Sequence, residues 1–164
     1  MTVLMPMSQD EFLAFAREAV PAFAAEKVAS GEWTPEESLE RSRQSFAELL
    51  PQGHATKDNH FYTIRDSTGN VDVGMIWVAV QQRAGKRIAY VYEISVKPDY
   101  QRRGHATRAL LALEEEVRAL GLSGVALHVF GHNAAARALY VRLGFHPTNI
   151  SMFKSIEGRT DRPA

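Results

Sequence analysis

Cysteine is absent from this chain. That absence excludes a disulfide framework, a thiolate zinc site and a cysteine nucleophile together. Net charge is absent too, because nineteen basic side chains balance nineteen acidic ones. No global field draws a nucleic acid or an anionic membrane, and neither is an expected partner; any anion site has to be local. No apolar run approaches the roughly 20 residues of a membrane span, and the opening "MTVLMPMSQDEF" has no basic stretch followed by a long apolar one. A cytoplasmic protein is the expectation. His128 and His132 stand four apart, but without a third ligand at metal-binding spacing, so no metal is expected. Repeats, low-complexity segments and linkers are lacking as well. The 164 residues, 45% of them hydrophobic, therefore read as one domain over 1–164, with a flexible tail over 155–164.

What is present is mostly punctuation. A short strand is expected at 2–6. Ser8 followed by Glu11 predicts a capping box that opens a helix, which Pro21 should interrupt or kink. Thr34, Pro35 and Glu37 predict the start of a second helix, with Leu39, Phe46, Leu49 and Leu50 on one side. Residues 51–60 read as loop. "FYTIRD", "VDVGMIWVAVQ" and "RIAYVYEISV" are strands joined by short turns, which predicts an antiparallel meander. Ala106, Leu110, Leu113, Val117 and Leu120 fall at helical spacing, and Gly121 closes that helix. "GVALHVF" reads as a strand, "NAAARALYVRLG" as a helix and "FHPTNISMFKS" as a broken strand or hairpin. The fold class is α/β in the α+β sense: a mixed, mostly antiparallel sheet flanked by helices. Within it, 87–129 forms a parallel strand–helix–strand unit with a right-handed crossover.

The stretch "SVKPDYQRRGHATRALL" enters a helix with no capping side chain. A helix start leaves four N–H groups unpaired and carries partial positive charge, so an anion can serve as the cap. Gly104 lets a phosphate approach the backbone, and Gln101, Arg102 and Arg103 add donors and charge. Gly104-His105-Ala106 is no GxGxxG, and no Gly-Lys-Ser/Thr follows, so common dinucleotide and triphosphate loops are excluded. On spacing alone, an ordinary surface turn with two solvated arginines remains the alternative.

The same stretch resembles the acetyl-coenzyme A signature of GCN5-related N-acetyltransferases, Q/R-x-x-G-x-G/A after a strand and opening a helix. "LHVFGHNAAARALYVRLGF" resembles that family's next strand and helix, and the overall pattern is close to small, uncharacterised bacillus-type acetyltransferases. Ala106 stands at the second glycine position of the signature. The resemblance implies acetyl-coenzyme A as cosubstrate and a parallel β-α-β core that binds it. Ile94, Ser95 and Val96 would offer backbone groups to the pantetheine, and Arg102, Arg103, Gly104, His105, Ala106 and Thr107 would wrap the pyrophosphate. Asn133 would touch the pantetheine, and Tyr140 would lie near the sulfur. Seven residues is almost two helical turns, which puts Asn133, Arg137 and Tyr140 on one face.

Transfer to an amine needs the neutral amine, and a lysine-like ammonium has a pKa of about 10.4, so a base helps at neutral pH. Glu93 interrupts an otherwise almost uncharged strand; it is either solvated or used as that base. His128 alternates with Ala126 and Phe130, on the face opposite Leu127 and Val129, and is expected in a row beside Glu93, as a relay or as a core histidine. Tyr140 would protonate the departing thiolate, or would only pack its ring. Backbone N–H groups near Ile94 to Val96, where a bulge is expected, would hold the oxyanion. His105 reads as a loop residue. The acceptor, a small-molecule or peptide amine, should be selected by 20–60 and the 145–154 hairpin, where Glu26, Glu32, Glu36 and Glu37 either attract a polyamine or solvate helices. A binding-only acyl-coenzyme A sensor, or one half of a partner complex, is the alternative function. A homodimer is compatible with the sequence.

Overall fold

A computed structural model describes residues 1–158. Five strands form one sheet in the order β1-β2-β3-β4-β5: β1 is Thr2–Pro6, β2 Asn59–Asp66, β3 Val71–Arg83, β4 Lys86–Val96 and β5 Val125–Leu127. The first three pairings are antiparallel, and β4 with β5 is parallel. Helices α1 (Gln9–Ala29) and α2 (Pro35–Leu49) precede the meander, α3 (His105–Ala119) makes the crossover, and α4 (Ala134–Arg142) follows β5. The expected mixed α/β architecture is therefore the observed one.

Strand alternation sorts the core onto two faces. Ile64, Val73, Ile76, Val78, Ala89 and Val91 pack with Leu110, Leu113 and Val117 of α3. On the other face Phe61, Met75 and Trp77 pack with Phe12, and Phe15, Phe46 and Tyr92 join them. The pairing register slips between Trp77 and Val78: Trp77 faces Glu93, whereas Val78 faces Val91. Tyr92 is the extra residue of a β-bulge. Its ring stacks on Trp77 at 4.5 Å, so Tyr92 and its neighbour Glu93 both lie on the α1 side of the sheet. The expected bulge at Ile94 to Val96 is not where the strand breaks register. Those residues pair regularly with β3, Ile94 opposite Ile76 and Val96 opposite Gly74.

Gly74 is required by that pairing. A Cβ there would stand 2.1 Å from the Ser95 carbonyl oxygen, and all of its nearest contacts are β4 backbone at Ser95 and Val96, which leaves little room to yield. Gly74→Ala should lower stability by about 1–3 kcal/mol, the usual cost of overpacking, measurable by urea denaturation. Wild-type stability in that variant would contradict the close approach.

Several expectations need correction. Pro21 neither interrupts nor ends α1, which runs unbroken from Gln9 to Ala29. Beside it, Ser42 donates to the Val20 carbonyl at 2.6 Å and is fully buried, which ties α2 to α1 next to the proline. Of the expected apolar side of α2, Phe46 and Leu50 do pack in the α1-side core, whereas Leu39 and Leu49 are about 40% exposed and the buried helical positions are Ser38 and Ser42. Small hydroxyl residues, rather than leucines, allow the close helix contact. The segment taken as loop contains a single 3-10 turn at Gly53–Ala55, and β2 begins at Asn59. "GVALHVF" forms a strand only over Val125–Leu127, and no strand or hairpin forms over 145–156. There Met152, Phe153 and Ile156 are more than 90% exposed. The last six residues of the expected tail lie outside the described residues. No described helix is long and apolar enough to cross a membrane.

Candidate active site

After β4 the chain makes a 3-10 turn at Pro98–Tyr100 and reaches α3 through two left-handed residues, Arg102 (φ 63°) and Gly104 (φ 79°). For a non-glycine residue the left-handed conformation costs about 1–2 kcal/mol, so Arg102 is held there by its surroundings. Gln101 Nε2 donates to the Val96 carbonyl at 2.9 Å and pins the loop to the end of β4. Gly104 is the N-cap of α3 and supplies no side-chain cap. The first intrahelical bond is Arg108 N–H to the Gly104 carbonyl, 3.1 Å. The N–H groups of His105, Ala106 and Thr107 therefore sit at an uncapped, partly positive helix end.

Arg108, one turn into the helix, was not singled out from the sequence. Its guanidinium lies over Gly104, so that an added Cβ would meet Nη1 at 2.7 Å. Nη2 donates to the Arg103 carbonyl at 2.8 Å, and Nε donates to Thr2 Oγ1 at 2.9 Å. The i+4 spacing from the glycine was its only sequence signal. His105 is a correction: it is the first residue of α3, not a loop residue, and its ring is buried. Nδ1 lies 3.2 Å from Thr2 Oγ1, which leaves only the backbone of His105 for a ligand. The cradle suits a pyrophosphate because free N–H groups and a glycine meet at one helix start, with Arg102 and Arg103 just before it in the chain and the Arg108 guanidinium over the glycine.

Gly104→Val should weaken acetyl-coenzyme A binding about tenfold or more. The β-branched side chain disfavours φ near 79° and crowds the anion's approach. Calorimetric titration checks this, and unchanged affinity in the folded variant would dismiss the cradle.

Glu93 stands at the bulge, on the wall of a cavity of about 490 Å³ beneath α1. Met7, Ala14, Phe15, Ala19, Ala22 and Met75 supply its apolar walls, and Ser95, Val96 and Lys97 continue the β4 side. Burial, and then the charge of Glu26, push the Glu93 carboxyl up to about 7. Such a group is divided between acid and base at neutral pH, the condition that suits general base catalysis. Tyr140 on α4 is also raised, first by burial and then by the Glu93 charge, which places the two within each other's field. Its ring packs edge-on to Phe145 at 5.6 Å.

His128 does not join them in the sheet. The parallel register ends at Val91 opposite Leu127, one row short of His128, because β4 bulges at the next residue. His128 lies edge-on to Phe130 at 5.0 Å. Asn133 caps α4, with its side chain accepting from the Ala136 N–H at 3.2 Å. Arg137 Nη1 donates to the Gly131 carbonyl at 3.3 Å. Both therefore shape the β5–α4 loop. The cavity is lined by α1 between Glu11 and Ala22, mostly ahead of the 20–60 segment expected to select the acceptor, and no hairpin forms over 145–154. Among the described residues no group of three or more metal-ligating side chains comes together.

Comparison with known proteins bears on this geometry. The sequence profile of the Acetyltransferase (GNAT) family matches residues 24–145. YycN of Bacillus subtilis, an uncharacterised N-acetyltransferase, is 33% identical over 95% of this chain and 100% of its own length. YdgE of the same organism, also an uncharacterised N-acetyltransferase, is 33% identical over 93% of the chain and 97% of its own. The crystal structure of YycN superposes with a TM-score of 0.90 over 95% of this chain and 99% of that one.

Proposed function

The chain belongs to the GNAT family of acyltransferases, and from that premise we propose that it transfers the acetyl group of acetyl-coenzyme A to an acceptor amine by direct attack. The observation that carries this reading is the half-buried Glu93, raised to about 7, on the wall of a cavity large enough for a small amine or an amino side chain. When bound, the coenzyme supplies an activated acetyl thioester. The uncapped start of α3, with Arg102, Arg103 and Arg108, would hold its pyrophosphate. Backbone groups of Ile94, Ser95 and Val96 would align the pantetheine, and the Asn133 amide would reach it from the α4 side.

The proton balance assigns the remaining roles. As the nitrogen–carbon bond forms, the amine loses a proton and the carbon–sulfur bond breaks. Glu93 receives that proton, directly or through a water. Tyr140 gives its phenolic proton to the sulfur, whose conjugate acid has a pKa of about 8.5 like other thiols. The raised Tyr140 stays protonated at neutral pH and is therefore available as the acid. His128, outside the β4–β5 register, would serve only through water.

Thiol release from acetyl-coenzyme A on adding a panel of alkylamines, polyamines, aminoglycosides and peptides tests the reading. Amine-dependent release is expected. Tight coenzyme binding with no release from any amine would favour the binding-only alternative.

A further inference from the structure

After Leu122 no described residue is buried. Yet this part of the chain carries "VALHVF", "ALYVRLGF" and "ISMFKSI", runs rich in large apolar side chains. Neither β5 nor α4 contributes a fully buried residue. Val141 on α4 is 66% exposed, and Ile150, Met152, Phe153 and Ile156 are 74–93% exposed. So much uncovered apolar surface marks a contact with another molecule.

Two features of this surface complete each other. β5 is the last strand of the sheet and pairs with β4 alone. It spans only Val125–Leu127, although the apolar run continues to Phe130. Its other edge offers unpaired backbone groups, a template for an added strand. Residues 146–156 are the converse, since they enter no strand and no backbone hydrogen bond among the described residues. In an extended tail Ile150, Met152 and Ile156 fall on one side and Phe153 on the other. An open edge and an unpaired strand-like segment in one chain are self-complementary, and mutual exchange between two copies satisfies both with twofold closure. The surface available is of the right order. A stable pair buries about 800 Å² on each partner. One large aromatic side chain brings about 150–250 Å², and each copy presents Phe153 with Ile150, Met152 and Ile156.

We infer that the chain forms a dimer in which residues 149–156 of each copy add as a strand to the open edge of β5 in the other and extend it over His128, Val129 and Phe130. The second copy then covers the half of the molecule that carries Asn133 and Tyr140, so the candidate site is closed on that side only in the dimer.

Sedimentation of the full-length chain reads the assembly, and a dimer is expected. Phe153→Asp should weaken it at least about tenfold with an unchanged circular dichroism spectrum, because that side chain is 93% exposed in its own chain. Photocrosslinking from p-benzoylphenylalanine placed at Met152, in a mixture of heavy-isotope-labelled and unlabelled protein, identifies the neighbour. Cross-links that join the two isotopic forms and land within 124–130 are expected. Cross-links confined to one isotopic form, or a dimer indifferent to Phe153→Asp, would overturn the exchange. A monomer with an accessible tail would overturn it too and would assign the surface to a different protein.

Discussion

Glu93→Gln is expected to lower kcat/KM by about 10²-fold or more while acetyl-coenzyme A binds as before. Glutamine keeps the shape of the side chain and removes its ability to accept a proton, so the loss reads base catalysis rather than packing. Burial makes this variant informative. With the carboxyl raised to about 7, the wild-type enzyme holds Glu93 protonated and inactive below that pH. Its kcat/KM should therefore rise as pH increases through about 7 and then level. Glu93→Gln should lose that limb. Acceptors of different pKa separate the contributions, because a limb that follows the acceptor belongs to the substrate and one that stays belongs to the enzyme. The same shift bears on stability with the opposite sense. A folded-state pKa above the unfolded one favours folding at low pH, and this contribution is lost as pH rises through about 7. Glu93→Gln should be relieved of that loss. A variant no more stable than wild type at pH 8 would mean that the carboxylate is solvated.

Tyr140→Phe should reduce kcat by about 10²–10⁴ with coenzyme affinity preserved. The ring contacts with Phe145 and the α3-side core survive the substitution, so stability should hardly change. Without the phenol, the thiolate leaves unprotonated. Leaving-group chemistry should then limit the rate, and thioesters of more acidic thiols should recover part of the activity. Equal turnover in the two proteins would return Tyr140 to a packing role.

The parts of this architecture written locally were legible in advance. Ser8 with Glu11 and Thr34 with Glu37 open helices because each box joins a side chain to backbone N–H groups a few residues away. Gly121 ends α3 in the left-handed conformation, and the uncapped entry to α3 could be read from Gly104 and the arginines. What escaped prediction depends on contacts between distant segments. The one-residue slip at Tyr92 is set by the stacking of its ring on Trp77, and no local signal in "YVYEIS" marks it. That slip, two residues ahead of the expected bulge, turns Glu93 toward α1 and ends the β5 ladder before His128, so its position decides both candidates. The burial of Ser38 and Ser42 in place of leucines follows from how closely α2 approaches α1. Arg108 and Thr2 meet across more than a hundred residues, and sequence spacing carries no trace of that contact.

The measurement that most directly tests the central claim is the titration of the Glu93 side-chain carboxyl carbon by nuclear magnetic resonance, assigned by comparison with Glu93→Gln. A midpoint of about 7 is predicted, with Glu93 half-buried on the cavity wall beside the Glu26 charge. A midpoint in the ordinary carboxylate range, near about 4.3, would make Glu93 a solvated anion and contradict its role as the base.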